Sequence, residues 1–95
     1  MDFIYEENRI YLNDASGKMI AEITFPSVSD GVVDIDHTFV DSSLRGQGVA
    51  DKLIRAAMEK IRKEGWSVIP SCSYAEKWFG KNPDQADVLQ PSNNQ

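Results

Sequence analysis

Leu44-Arg45-Gly46-Gln47-Gly48-Val49-Ala50 is the stretch on which the reading of this chain turns. It runs directly into Val49 to Glu64, where Val49, Leu53, Ala56, Ala57 and Ile61, with Ile54 and Met58 beside them, make an apolar stripe at helical spacing. Small residues at a strand-to-helix turn leave the first N–H groups of the helix open, and an anion can approach them closely. The helix dipole adds about 0.3–1 kcal/mol for an anionic group there, and Arg45 adds a charged donor. Two other phosphate loops fail on the same residues. A Walker loop needs Gly, four residues and then Gly-Lys-Ser/Thr, which is absent from the sequence. A dinucleotide fingerprint needs a third glycine where Asp51 stands.

Outward from this stretch the period changes from helical to alternating. Upstream, Phe3-Ile4-Tyr5 and Arg9-Ile10-Tyr11-Leu12 read as a hairpin, and Asn13 to Gly17 is a concentrated turn signal. Met19, Ala21, Ile23 and Phe25 predict one buried face of a strand that ends at Pro26. Ser27 to Gly31 reads as a turn. Val33, Ile35, His37 and Phe39 then predict one face of the next strand, with Asp34, Asp36 and Thr38 on the other and a break, read as a bulge, at Val40. Downstream, Gly65 stops the helix and Trp66 to Pro70 reads as a short strand. Residues 32 to 70 thus predict a strand-helix-strand unit, which demands parallel strands. Ser73 to Gly80 predicts a second helix with Tyr74, Trp78 and Phe79 inward. The fold class is α/β (α+β): an antiparallel meander, the crossover unit, then a short C-terminal helix. The reading sets one domain over residues 1–89 and a disordered polar tail over 90–95.

Composition narrows the function classes. Ninety-five residues with 41% hydrophobic and 26% charged side chains suit one small globule without a large enclosed cavity, so a ligand is expected in an open groove. No apolar run approaches the roughly 20 residues needed to cross a bilayer. The start of the chain lacks the pattern of a signal peptide, so a cytoplasmic protein is expected. The one cysteine, Cys72, excludes an internal disulfide and leaves too few soft ligands for structural zinc. Asp34 and Asp36 share a face but have no third ligand nearby in sequence; they are expected to face solvent, and no metal site is predicted. The net charge of −5 argues against nucleic-acid binding, yet it hides an asymmetry. Residues 1 to 44 carry −7, residues 45 to 63 carry +4 and residues 64 to 95 carry −2. The positive segment is either a solvated helix face or the site of a small polyanion.

Arg45-Gly46-Gln47-Gly48-Val49-Ala50 matches the Q/R-x-x-G-x-G/A signature of the GNAT acetyltransferases. Together with Asp36 to Val40 and Pro70-Ser71-Cys72-Ser73-Tyr74-Ala75, it resembles the very short YjdJ-type subgroup of that superfamily over about residues 3 to 89. The resemblance implies acetyl-CoA as cosubstrate, its pyrophosphate on Arg45, Gly46, Gln47, Gly48, Val49 and Ala50. It implies pantetheine amides on the backbone near Phe39 and Val40, in a cleft where two parallel strands splay, with Ser71 and Lys77 as further contacts. It departs from larger relatives in ending before the C-terminal strands that usually complete the acceptor site.

Three side chains are candidates for the chemistry, each with a plainer alternative. His37, the sole histidine, is the side-chain type that suits proton removal from an ammonium group near neutral pH, or it is a groove histidine with a structural hydrogen bond. Cys72 lines the thioester pocket, accepts the acetyl group as a nucleophile, or is simply a small buried residue. Tyr74 resembles the tyrosine that protonates the leaving thiolate in several relatives, or it packs the second helix. Lys77 and Lys81 are ordinary helix lysines or phosphate contacts. The reading is an N-acetyltransferase acting on a small or protein amine, without nucleic acid or membrane as partner. Its rivals are an acyl-CoA-binding or sensing module with little turnover and a protein-interaction domain built on the basic helix.

Overall fold

The computed structural model describes residues 2–91. Strands β1 (Ile4–Glu6) and β2 (Arg9–Asn13) form the expected hairpin, with Ile4 opposite Tyr11 and Glu6 opposite Arg9. The next turn is held by the Asp14 carboxylate, which accepts from Ser16 N, Ser16 Oγ and Lys18 N. Those hydrogen bonds hold the Asp14 carboxyl below its ordinary pKa, the Ser16 side chain contributing most. Strand β3 (Met19–Thr24) returns antiparallel to β2, with a register shift between Leu12 and Asn13. Ala21, Ile23 and Phe25 are fully buried as the alternation predicts, while Met19 is only half-buried and Ile20 turns into the core at the shift.

Two expectations change between Ser27 and Val40. Ser27 to Gly31 is not only a turn, because Ser27–Ser29 forms β4, paired antiparallel with β5 (Val32–Asp34). Residues 32 to 40 are not one strand broken at Val40: the interruption lies at Ile35-Asp36, and His37–Val40 is a separate strand, β6. β6 joins the first sheet, ordered β1-β2-β3-β6, whereas β5 lies in a second sheet between β4 and β7 (Ser67–Ile69). The interruption also reverses the faces. Val40 and Thr38 stand opposite the buried Ala21 and Ile23, so they face the core. His37 and Phe39, expected on the face of Val33 and Ile35, therefore point away from it.

α1 (Val49–Glu64) buries Val49, Leu53, Ile54, Ala56, Ala57, Met58 and Ile61 and packs against β2, β3 and β6. Gly65, in the left-handed region at φ 75°, closes it by donating its N–H to Arg62 and Ile61 carbonyls. The chain returns as β7, parallel to β5 with Val33 opposite Val68. α2 (Ser73–Lys81) follows, with Ala75, Trp78 and Phe79 buried and Tyr74 half-buried. A 3-10 turn over Pro83–Val88 brings Leu89 beside Val68, where Gln90 N donates to Val68 O at 2.8 Å. Of the expected tail, residues 92–95 lie outside the described residues. Among the described residues, no helix is long and apolar enough to cross a membrane.

Candidate functional site

The crossover places a loop at the end of β6 and the start of α1. Asp41 opens it: its carboxylate accepts from Ser43 N at 2.9 Å and caps a 3-10 turn, Ser42–Leu44. Leu44 N, Arg45 N and Gln47 N are spent on carbonyls within the turn. The amides of Gly46, Gly48, Val49, Ala50 and Asp51 are not: among the described residues none has an acceptor in backbone or side chain. Gly48 caps α1 at φ 69°, a conformation costly for any other residue, and offers no side chain to its amides. Val40, Asp41, Ser42, Leu44, Arg45, Gly46, Gly48, Val49 and Ala50 line one open cavity of about 250 Å³. Gln47 is exposed beside it and does not line it.

The same architecture opens a cleft. β5 and β7 run hydrogen-bonded until Ile35, whose N–H donates to Ile69 O and whose carbonyl accepts from Cys72 N at 3.0 Å. Beyond that link β6 leaves for the first sheet, so the parallel strands splay as expected. The outer edge of β6 has no strand beside it among the described residues. Asp41 N donates to Ile20 O in β3, and strand alternation then turns the Val40 N–H to the free edge and that of Phe39 toward β3. Phe39 itself is half-buried on the outer face.

Cys72 sits at the apex of the splay. Its Sγ accepts from Ala75 N at 3.3 Å as the cap of α2 and lies 3.5 Å from Thr38 Oγ1 across the cleft. Tyr74, in the first turn of α2, is half-buried; desolvation first, then the nearby Asp51 carboxylate, raises its phenol above the ordinary value. It therefore keeps its proton throughout the neutral range. Asp51, in the first turn of α1, ties the two helices: its Oδ1 accepts from Trp78 Nε1 and its Oδ2 from Arg55 Nε, each at 2.8 Å.

His37 lies elsewhere. It is on the sheet face opposite α1, half exposed, its Nε2 3.2 Å from Glu22 Oε1. Neither His37, Cys72 nor Tyr74 lines the loop cavity. Ser71 is already engaged, its N and Oγ donating to the Asp34 carboxylate at 3.2 and 2.8 Å. Asp34 thus serves Ser71 instead of facing solvent unpaired, as expected of it, and Asp36 accepts from Thr24 Oγ1. Lys77 and Lys81 are exposed on α2. Thr38 and Glu22 carried no sequence signal, since Cys72 and His37 are brought to them only by the fold, and of the contacts of Asp51 only the i,i+4 pair with Arg55 lies within reach of the sequence, not that with Trp78.

Comparison with known proteins bears directly on this geometry. The profile of the GCN5-related N-acetyltransferase family matches residues 9–88. Protein NATD1 of Xenopus tropicalis is 33% identical over 73 residues, 75% of this chain and 67% of that protein. The Homo sapiens protein of the same name is 32% identical over 75% of this chain and 65% of its own length. The chain thus spans about two thirds of these relatives. The solution structure of a GCN5-like protein from Staphylococcus aureus superposes with a TM-score of 0.79 at 34% identity, covering 99% of this chain and 92% of that one. The Escherichia coli protein YhbS, in complex with CoA, shares the fold at a TM-score of 0.56 and 23% identity, over 63% of this chain and 37% of its own.

Proposed function

The chain belongs to the GCN5-related N-acetyltransferase family, and we propose on that premise that it transfers an acetyl group from acetyl-CoA to an amine. One observation carries the reading: open amides on Gly46, Gly48, Val49 and Ala50, residues that line a single cavity with Arg45 at its rim. Those donors and the N-terminal dipole of α1 suit a pyrophosphate. The Val40 N–H at the free edge of β6 suits an amide acceptor of pantetheine. CoA bound to YhbS, a protein of the same fold, supports the assignment.

Acetyl-CoA supplies an activated acyl group; the chain supplies position and proton transfer. His37 takes a proton from the ammonium form of the acceptor, whose nitrogen lone pair then forms the C–N bond to the acyl carbon, and the extra proton left on that nitrogen passes to solvent as the amide forms. As the C–S bond breaks, Tyr74, held protonated, gives its proton to the departing thiolate and recovers one from solvent. Cys72 lines the apex of the cleft. Its free thiol also suits a reducing, cytoplasmic setting, and the stretches Asp36 to Val40, Arg45 to Ala50 and Pro70 to Ala75 support the YjdJ-type subgroup. The acceptor is a small or protein amine, and the acidic first half favours a cationic one.

Release of free coenzyme A thiol across a panel of amines tests the reading. Amine-dependent release that Gly48→Glu abolishes is the expected result. Tight cofactor binding with no release on any amine supports the second reading, a coenzyme A-binding module. That alternative is favoured by the position of His37, on the sheet face away from α1, while its neighbour Thr38 is the residue that faces Cys72 across the cleft.

A further inference from the structure

We propose that Glu22 is a positioning residue for His37, fixing which ring nitrogen faces the acceptor; the inference rests on the assignment of His37 as the base. Glu22 lies in β3 opposite Phe39, and His37 lies opposite Thr24, so Glu22 and His37 are diagonal neighbours on the sheet face away from α1. Glu22 Oε1 is 3.2 Å from His37 Nε2, while its Oε2 accepts from Arg9 Nε. Arg9 is itself held, 3.4 Å from Glu6 Oε1 and stacked 3.8 Å over the Tyr11 ring. The carboxylate therefore has each oxygen committed and its side chain is only 16% exposed, whereas the His37 side chain it grips is 51% exposed.

A carboxylate can only accept, so the imidazole nitrogen that faces it must carry the proton. In the neutral ring that leaves the lone pair on Nδ1, the nitrogen not engaged by Glu22, on a side chain that is half exposed. A histidine without such a partner divides its population between tautomers and ring orientations. The arrangement Arg9, Glu22, His37 crosses three adjacent positions of the sheet and orders a base from a rigid strand, as a second carboxylate orders the ring in other histidine-dependent sites. The remaining acid on this face, Asp36, is engaged by Thr24 Oγ1 and does not compete.

The test is the tautomeric state of His37, read from the ring nitrogen shifts of 15N-labelled full-length protein at a pH where the ring is neutral, in wild type, Glu22→Ala and Glu22→Gln. The wild type is expected to hold the proton on Nε2, Glu22→Ala to lose that single state, and Glu22→Gln, whose amide oxygen still accepts, to restore it. Proton occupancy of Nδ1 in the wild type, or an unchanged spectrum in Glu22→Ala, overturns the proposal. In turnover, Glu22→Ala is expected to lower kcat on the order of tenfold or more with acetyl-CoA affinity unchanged, and to add nothing in a His37→Ala background. Additive losses overturn the proposal as well. The nitrogen shifts need neither acceptor nor cofactor, so they decide the Glu22 contact even if His37→Ala turns over at full rate, a result that removes the base assignment alone.

Discussion

At position 48 an added Cβ meets nothing within 4 Å, so substitutions there act through backbone conformation and charge rather than crowding. Gly48→Ala is expected to cost about 1–2 kcal/mol for placing a Cβ in the left-handed region, visible in chemical denaturation, and to keep cofactor binding. Gly48→Glu adds a negative charge beside the open amides and is expected to abolish saturable binding; unchanged affinity would remove the loop from the site. His37→Ala should leave cofactor affinity intact and lower turnover by roughly 10²–10⁴-fold, the usual contribution of a positioned base. Direct attack by the amine also predicts that intact-mass analysis after rapid mixing with acetyl-CoA finds no acetyl-enzyme. An adduct that Cys72→Ala lacks would replace direct attack with a covalent route. The loop was legible because its small residues and Arg45 are contiguous in sequence. The Glu22 partner of His37 was not, because 15 residues and the β3–β6 register separate them.

Among the elements, α1 was legible at both ends, from its 3.6-residue stripe and from Gly65. Residues 32 to 40 were not, because Val33, Ile35, His37 and Phe39 keep a period of two while the chain changes sheets at Ile35-Asp36. β4 has no apolar pattern to announce it and exists through its pairing with β5. Leu53→Ala, deep in the α1 stripe, should destabilise by about 2–5 kcal/mol in urea unfolding, the range for a buried leucine that leaves a cavity. The link between α1 and α2 predicts a pH effect. The Trp78 indole N–H first, and Arg55 second, hold the Asp51 carboxyl below its ordinary value of 3.8. A carboxyl depressed in the folded state gives stability that is present above that value and lost as pH falls through the lower, folded one. Melting temperature is therefore expected to drop below about pH 4, and less steeply in Asp51→Asn; parallel acid profiles would show that the contact contributes nothing. Half exposure of Asp51 keeps the effect modest.

For the whole molecule, half of the basic residues in the positive segment, three of the six between Arg45 and Lys63, are paired with acids. Arg55 is matched by Asp51, Arg62 by Asp87, and Lys60 by Glu7 and Glu64. Arg62 reaches Asp87 with two hydrogen bonds of 2.8 Å and so ties the C-terminal 3-10 turn to α1. The basic segment is therefore less a partner surface than its sequence suggests, while Lys52, Lys63 and Arg45 are exposed, Arg45 at the rim of the loop cavity. A polyanion held there by open amides and one arginine should bind more weakly as salt rises. The central claim is that this loop holds coenzyme A, and calorimetric titration of the protein with acetyl-CoA, against coenzyme A and ATP, tests it most directly. Saturable binding of both coenzyme A forms, with ATP weaker, is the predicted result; no heat of binding from either coenzyme A form would contradict the account at its root.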